Sequence, residues 1–492
     1  MNYKEVFKDI LYCVEQLGDS EEIVNICSNS KKIGVGDTFL AIVGIKTDGH
    51  KYIESAINSG AKVIICNKDK VGTFSAPKDV SVFSVEDTRI VFSKIANNYY
   101  QDPTSKFRLV GVTGTNGKTS TTTMVDHVFR GLGYNTALIG TINIYVNGKV
   151  LDIERTTPTT PDCLELGKIM SICVENKVDY VFMEASSMAM KLGRVRACNF
   201  HTAAFTNLSP EHLDDHKTME DYKNSKLLLM PMAERAVVNM DDEVGEEFLE
   251  KAKEGSIGYG IDNPEKCDLY ASNVKFENDR VCFDVNWQGK VWDYQIMIPS
   301  RFAVYNALAA TGICLSLGLC MDDIRKYLCE KFDIAGRYEV IKGKKITAII
   351  DFAHTGVALE NLLTSVRQNK SYKRIISVFG CGGDRDNSKR SVMGNVSQRL
   401  ADYSVITMDN PRTEDPNRIV GHILEGVDKS VANYEVEHDR DLAIRKAIEM
   451  AEEGDVVVIS GKGHETEQIF NGYTVEFNDK IVAEKYIHHF NK

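Results

Sequence analysis

The segment Gly111-Val112-Thr113-Gly114-Thr115-Asn116-Gly117-Lys118-Thr119-Ser120 carries the clearest chemistry in the chain. Closely spaced glycines let backbone N–H groups approach a phosphate, and a helix beginning beside them adds partial positive charge. Lys118 would reach the terminal phosphates and Thr119 could ligate Mg²⁺. The segment predicts an ATP loop with contacts from Gly114, Thr115, Asn116, Gly117, Lys118, Thr119 and Ser120. Val112 replaces the first glycine of the usual G-x-x-x-x-G-K-T. Further candidates are isolated. Glu184 follows the strand-like Tyr180-Val181-Phe182-Met183, His212 lies in Glu211-His212-Leu213-Asp214-Asp215-His216, and Lys226 lies in a helical stretch. Taken alone, these read as a turn residue, a surface or capping imidazole and a solvated lysine.

The loop requires a strand before it and a helix after it, and the apolar run Phe107-Arg108-Leu109-Val110-Gly111-Val112 and the helical pattern from Thr121 supply both. Before the loop, short apolar runs such as Thr38-Phe39-Leu40-Ala41-Ile42-Val43 and Ala61-Lys62-Val63-Ile64-Ile65-Cys66 predict a small α/β domain over 1–105. Alternating strands and helices predict a central parallel-sheet domain over 106–336, with an antiparallel hairpin near 268–298 and a helix near 304–317. Four more apolar runs, each followed by a loop and a helical stretch, predict a third, Rossmann-like domain over 337–492.

The 492 residues suit about three domains. With 43% hydrophobic and 26% charged residues, disordered and fibrous classes are excluded. A net charge of -11 argues against broad nucleic-acid binding. The twelve cysteines contain no C-x-x-C pair, so reduced thiols in a cytoplasm are expected rather than disulfides or zinc. No apolar stretch reaches the ~20 residues of a membrane helix, and the N-terminus lacks an apolar export core, so neither export nor membrane insertion is expected.

Thr113-Gly114-Thr115-Asn116-Gly117-Lys118-Thr119 resembles the signature loop of the Mur ligases, ATP-dependent amide-forming enzymes of peptidoglycan synthesis. Thr156-Thr157-Pro158-Thr159-Thr160-Pro161, Thr206-Asn207-Leu208, His212-Leu213-Asp214, Gly380-Cys381-Gly382-Gly383-Asp384-Arg385-Asp386, Asp409-Asn410-Pro411-Arg412 and Gly461-Lys462-Gly463-His464-Glu465 resemble the branch that completes the UDP-N-acetylmuramoyl tripeptide. The likeness spans residues 30–468. It implies an α/β fold of three domains: a small N-terminal UDP-sugar domain, a central P-loop ATPase with a parallel sheet, and a C-terminal Rossmann-like domain that closes on substrates. It also implies a cytoplasmic enzyme of cell-wall biogenesis, serving cell shape and division and expected to be a monomer.

The implied reaction phosphorylates the carboxylate of UDP-N-acetylmuramoyl-L-alanyl-D-glutamate and lets the amine of meso-diaminopimelate attack the acyl phosphate. By resemblance, Lys118, Lys226, Glu184 and His212 are catalytic. Thr119, Glu184, His212 and Lys226, the last as a lysine carbamate, would hold Mg²⁺. Asn306, Arg337 and Asp351 would join the loop at ATP. Ser30, Thr156, Thr157, Ser186 and Arg194 would hold the UDP-sugar dipeptide. Arg385, Asp409, Asn410, Arg412, Gly461 and Glu465 would hold the amino acid. Diaminopimelate differs from lysine by a distal carboxylate, which an arginine can grip with two hydrogen bonds, while Glu465 could accept from the distal ammonium. The opposing expectation pairs Arg412 with Glu414 or Asp415.

The chain departs from the family pattern at Lys31, Met188, Gly356, Ser300 and Ala303, where Arg, His, Pro, Gly and Asn are usual. Gly356 is expected to free the backbone after a nucleotide-facing loop. The competing readings are the same chemistry with L-lysine or another diamino acid, and a Mur-like protein that binds nucleotide without catalysis.

Overall fold

The computed structural model describes residues 1–44 and 47–492, and the chain packs as two compact units. The first comprises Met1–Gly111, Tyr134–His201 and Met232–Glu234, and the second Val112–Gly133, Thr202–Pro231 and Arg235–Lys492.

In the first unit, strands Tyr12–Gln16, Ser81–Val85, Val63–Asn67, Thr38–Leu40 and Ile26–Cys27 lie side by side in that order. The first is antiparallel to its neighbour and the others run parallel. Phe83, Leu40, Ile65 and Val85 meet Phe92 and Ile95 of the helix Thr88–Tyr99 in one apolar core. That helix is started by Asp87, whose carboxylate accepts from Arg89 N–H. The same unit contains Tyr180–Glu184, parallel to Thr136–Ile139, which continues antiparallel into Ile144–Val146 and Lys149–Val150. Tyr180–Glu184 is buried at four of its five positions, the pattern of a strand covered on both faces.

In the second unit the helix Lys118–Gly131 packs against the helix Arg301–Ser316. Ser300 starts the latter by accepting from Ala303 N–H at 3.1 Å, so the serine that departs from the family pattern caps this helix. Ala303 is buried behind it. The expected hairpin near 268–298 is a three-stranded meander: Leu269–Phe276, Val281–Trp287 and Lys290–Ile296 pair antiparallel. Its first strand also runs parallel to Ile257–Gly260.

The C-terminal sheet has the order Glu339–Lys342, Thr347–Asp351, Val456–Ser460, Ile375–Phe379, Tyr403–Ile406, Tyr434–Val436, parallel throughout except for its first strand. Helices Gly356–Gln368, Ser388–Leu400 and Pro416–Leu424 cover one face, and Arg440–Met450 and Asp479–His489 the other. Val456–Ser460 is fully buried, as a strand between two helical layers must be. Gly356 does not loosen the backbone here. It opens a helix capped by Thr355, and a Cβ on it would lie 2.5 Å from Val392 Cγ1, so close helix packing is what favours glycine.

Candidate active site

Backbone geometry dictates the glycines of the phosphate loop. Gly114 has φ +147°, and a Cβ there would sit 1.9 Å from Thr206 Oγ1. Gly117, with φ +87°, would place one 2.5 Å from Asn306 Oδ1. Val112, in contrast, is still inside the strand Arg108–Thr113 and wholly buried, so the missing first glycine costs the loop nothing. Thr206 Oγ1 donates to Asn116 O at 2.6 Å and Asn116 N–H donates to Asn207 Oδ1 at 3.0 Å, fixing the crest of the loop.

Two lysines converge on one carbonyl. Lys118 Nζ donates to Gly114 O and Thr115 O, each at 2.8 Å, and Lys226 Nζ donates to the same Gly114 O at 2.8 Å. Lys226 is 1% exposed, which overturns the solvated-lysine reading. Its ammonium lies 4.3 Å from the Tyr222 ring centroid, and the Tyr222 hydroxyl is 3.2 Å from Thr115 Oγ1. Burial first, and then the charge of Lys118, holds the Lys226 amine well below the ordinary lysine range. A neutral amine is the form that reacts with CO₂.

His212 stands at the start of the short helix Leu213–His216 with φ +57°. Its side chain is half exposed, and desolvation, Lys118 and Lys226 lower its affinity for a proton, against Glu211. His212, Asp214 and Asp215 bring their ligand atoms within 4.8 Å of one another. Glu211 is buried. Burial alone would raise its carboxyl, but the hydrogen bond from His354, with the charges of His354, His212 and Lys118, holds it below the carboxylate range.

From the C-terminal segment, Arg337 NH2 comes within 3.4 Å of Thr119 Oγ1, with the guanidinium 4.5 Å from the Phe352 ring centroid. Asp351 accepts from Tyr338 N–H and Ala353 N–H, both at 2.7 Å, and so braces the segment that bears Arg337. The donors at the loop suit a hard cation only in part. Thr119 supplies a hydroxyl oxygen, but Lys226 as an amine supplies none, and the set fits Mg²⁺ once that buried amine becomes a carbamate.

The six expected amino-acid residues stand after three neighbouring parallel strands, at their carboxyl ends, where open sheets bind ligands. Asn410 Nδ2 donates to Glu465 Oε2 at 2.9 Å, and the buried Lys462 Nζ reaches the same oxygen at 2.7 Å and Asn410 Oδ1 at 3.1 Å. Gly461 has φ +113° and its Cβ would lie 2.7 Å from Asp409 Oδ2. Arg412 NH1 donates to Gly383 O at 2.8 Å.

Arg412 does not pair with Glu414. The fully buried Arg390 grips Glu414 with two bonds of 2.8 and 2.7 Å, holding that carboxyl down to about 2. Asp415 instead caps the helix Pro416–Leu424. Among the described residues neither Arg385 nor Arg412 has a carboxylate within ion-pair distance. Burial first, and then the neighbouring Arg385, lowers the Arg412 guanidinium, against the charges of Asp409, Glu465 and Asp384. Arg385 lines a cavity of about 630 Å³ together with Arg418, Asn387, Thr413 and the carboxylates of Asp214, Asp384, Asp386 and Glu414.

In the first unit, Glu184 is 1% exposed, which overturns the solvated-turn reading. Its carboxylate accepts from Thr141 N–H at 2.8 Å and from the Thr141 hydroxyl at 2.9 Å. Ser186 caps the helix Ser187–Lys191, whose second residue is Met188. Ser186 N–H donates to Thr160 Oγ1 at 3.0 Å, and Arg194 NH1 donates to Thr160 O at 3.1 Å. Thr156 bonds Glu165 through both its N–H and its hydroxyl, and Thr157 Oγ1 donates to Thr160 O at 2.7 Å. Ser30, Lys31 and Lys32 form one 3-10 turn, and Lys32 bonds Glu154 at 2.6 Å. Sequence reasoning assigned no role to Arg155. Its guanidinium donates to Gly140 O at 2.8 Å, to Thr141 O at 3.3 Å and to Pro158 O, fastening the loop that Glu184 also holds.

Three family models match in succession: the Mur ligase family catalytic domain over residues 22–100, the Mur ligase middle domain over 112–314, and the Mur ligase glutamate ligase domain over 336–463. The chain belongs to the Mur ligase family. It is 41% identical over 490 residues to the UDP-N-acetylmuramoyl-L-alanyl-D-glutamate--2,6-diaminopimelate ligase of Clostridium botulinum (strain ATCC 19397 / Type A), covering 99% of each chain. With the ligase of the same name from Clostridioides difficile (strain 630) it shares 41% identity over 467 residues, 94% of each chain. A solved structure of a protein of that name superposes with a TM-score of 0.70 at 26% identity, covering 100% of this chain and 99% of the other. The fold is the three-domain α/β architecture of the Mur ligases.

Proposed function

We propose that this chain adds meso-diaminopimelate to UDP-N-acetylmuramoyl-L-alanyl-D-glutamate, consuming ATP and releasing ADP and phosphate, in peptidoglycan precursor synthesis. The observation that carries the amino-acid assignment is the pair Arg385 and Arg412, neither of them in a salt bridge among the described residues, while Glu414 is gripped by Arg390. A distal carboxylate satisfies two such cations, whereas lysine's distal ammonium would face them. Asp409, Asn410, Gly461 and Glu465 complete the pocket, with Lys462 and Asn410 steadying Glu465.

On the nucleotide side, Gly114 to Ser120 cradle the phosphates and Lys118 leaves the loop carbonyls for the terminal phosphoryl group. Asn306, Arg337 and Asp351 complete the ATP contacts, and Arg337 adds positive charge beside Thr119. Thr119, His212, Glu184 and Lys226, the last as its carbamate, are the proposed magnesium ligands. Magnesium supplies neutralisation of phosphoryl charge when bound. The buried amine of Lys226 supports carbamate formation, because desolvation makes the neutral, nucleophilic form accessible. Ser30, Thr156, Thr157, Ser186 and Arg194 are the proposed contacts of the UDP-sugar dipeptide.

The proposed domains are residues 1–105, 106–336 and 337–492, in a cytoplasmic monomer. Among the described residues no helix is long and apolar enough to cross a membrane, and all twelve cysteines are unpaired. The deciding experiment is phosphate release from Mg-ATP and the UDP-dipeptide against meso-diaminopimelate, L-lysine and L-ornithine. Release with diaminopimelate alone is expected. Release with lysine would overturn the pocket assignment, and release with none would overturn the ligase reading.

A further inference from the structure

Glu211 has no part in the roles assigned above, yet its place is specific. It lies two residues after Ser209, whose N–H donates to Thr115 Oγ1 of the phosphate loop at 3.0 Å. Its side chain is 10% exposed, and one carboxylate oxygen stands 2.9 Å from His354 Nε2. The other ring nitrogen, Nδ1, is 2.8 Å from Phe352 O. Both ring nitrogens are thus engaged, and the ring cannot turn without losing a contact. Phe352 in turn carries the Arg337 guanidinium on its ring face, 4.5 Å from the centroid, and Arg337 reaches back to Thr119. The linkage Thr115, Ser209, Glu211, His354, Phe352, Arg337, Thr119 begins and ends on the phosphate loop.

We propose that Glu211 is a positioning residue: by gripping His354 it sets Phe352 and Arg337, so that the Arg337 cation is held at the mouth of the phosphate loop. The inference rests on the ATP-ligase reading. The Glu211 carboxylate sits on His354, and the group it touches directly is the one that is bonded to Phe352 O and packs edge-on against the ring of the Phe352–Arg337 stack. A misplacement of about 1 Å in such a group costs up to about 100-fold in rate.

The test uses the full chain and reads two quantities: the Kd of a non-hydrolysable Mg-ATP analogue by calorimetry, and kcat/KM for ATP in the complete assay. Glu211→Ala and His354→Ala are each expected to weaken analogue binding about tenfold and to lower kcat/KM for ATP by about 10- to 100-fold, with the Kd of the UDP-dipeptide unchanged. Glu211→Gln, which keeps an acceptor for His354, is expected to recover most of the loss. In an Arg337→Ala background, Glu211→Ala is expected to add less than about twofold, because its effect passes through Arg337. Wild-type binding by Glu211→Ala, or losses that multiply with Arg337→Ala, would overturn the proposal. Should Glu211→Ala not fold, His354→Gln with and without Arg337→Ala decides between the same two outcomes. A wild-type protein that binds the analogue but releases no phosphate would sink the ligase reading, while the binding measurements would still decide the role of Glu211.

Discussion

The phosphate loop and the amino-acid pocket manage positive charge in opposite ways. At the loop, Lys118 and Lys226 spend their donors on the backbone, both at Gly114 O, so a substrate must draw at least one of them away. At the pocket, Arg390 has already taken the Glu414 carboxylate, and among the described residues Arg385 and Arg412 are left outside any salt bridge, with Arg385 lining a cavity that also holds Asp384 and Asp386. One site rests on backbone geometry and a chemically alterable lysine, the other on fixed guanidinium groups whose competitor has been removed. On the proposed reading the first site recognises phosphate groups, whereas the second selects by where its ligand carries negative charge.

The sharpest way to break the comparison is at the loop. Lys118→Ala removes the cation proposed to meet the terminal phosphoryl group and is expected to cut kcat by about 1,000-fold, the order found when one preorganised charge donor is lost at a transition state. UDP-dipeptide binding, measured by calorimetry, is expected to be unchanged. A loss below tenfold would mean that Lys118 stays on Gly114 O and Thr115 O during turnover.

Lys226 tests whether the loop's second lysine is altered. Lys226→Ala is expected to lose about 100-fold in kcat, and the wild-type enzyme to slow in CO₂-depleted buffer and recover on adding bicarbonate. Burial is the cause: desolvation and then Lys118 hold the amine below its ordinary range, so its uncharged form is more accessible to CO₂ than that of a solvated lysine. Indifference to bicarbonate in depleted buffer, checked by ¹³C NMR for a missing carbamate resonance, would leave Lys226 as a structural donor to Gly114.

The contrast between the sites also explains what the sequence could reveal. The loop was legible because glycine spacing is a backbone signature: Gly114 and Gly117 occupy positions where a side chain collides with Thr206 or Asn306. The parallel sheets were legible from buried runs such as Val456–Ser460, while the third strand of the meander was missed because its burial alternates weakly. Lys226 and Glu184 were not legible from their surroundings, since a lone lysine in a helix and a lone glutamate after a strand have no local mark of burial. Only the resemblance pointed to them, and their exposure of 1% each is a tertiary fact. Arg390 was missed for the same reason: its partner Glu414 is 24 residues away and meets it only in the folded C-terminal sheet.

Arg412 sharpens the pocket side. Arg412→Lys keeps the charge but loses the planar fork, and kcat/KM for meso-diaminopimelate is expected to fall about tenfold, the worth of one charge-assisted hydrogen bond. L-lysine turnover is not expected to fall with it. Equal losses for both amino acids would show that Arg412 supports the loop through Gly383 O rather than reading the distal carboxylate.

The smallest effect concerns the pair that keeps the pocket open. The Glu414 carboxyl is held down to about 2, first by its hydrogen bonds from Arg390, so the stability it contributes is present above the ordinary glutamate value of about 4.3 and is lost as pH falls from there through 2. In Arg390→Met that carboxylate loses its two strongest bonds and turns toward an ordinary value. The variant is expected to melt below the wild type at pH 7, and the gap in Tm, followed by calorimetry, to narrow by a few degrees between pH 5 and about 3, as the wild type gives up what the variant never had. The released Glu414 would also be free to approach Arg412, so the KM for meso-diaminopimelate is expected to rise about threefold at pH 7. A constant Tm gap across that range, with KM unchanged, would mean that Arg390 acts through packing and its bond to Gly382 O rather than by neutralising the pocket's acid. The two sites would then differ only in their ligands, not in how they hold charge.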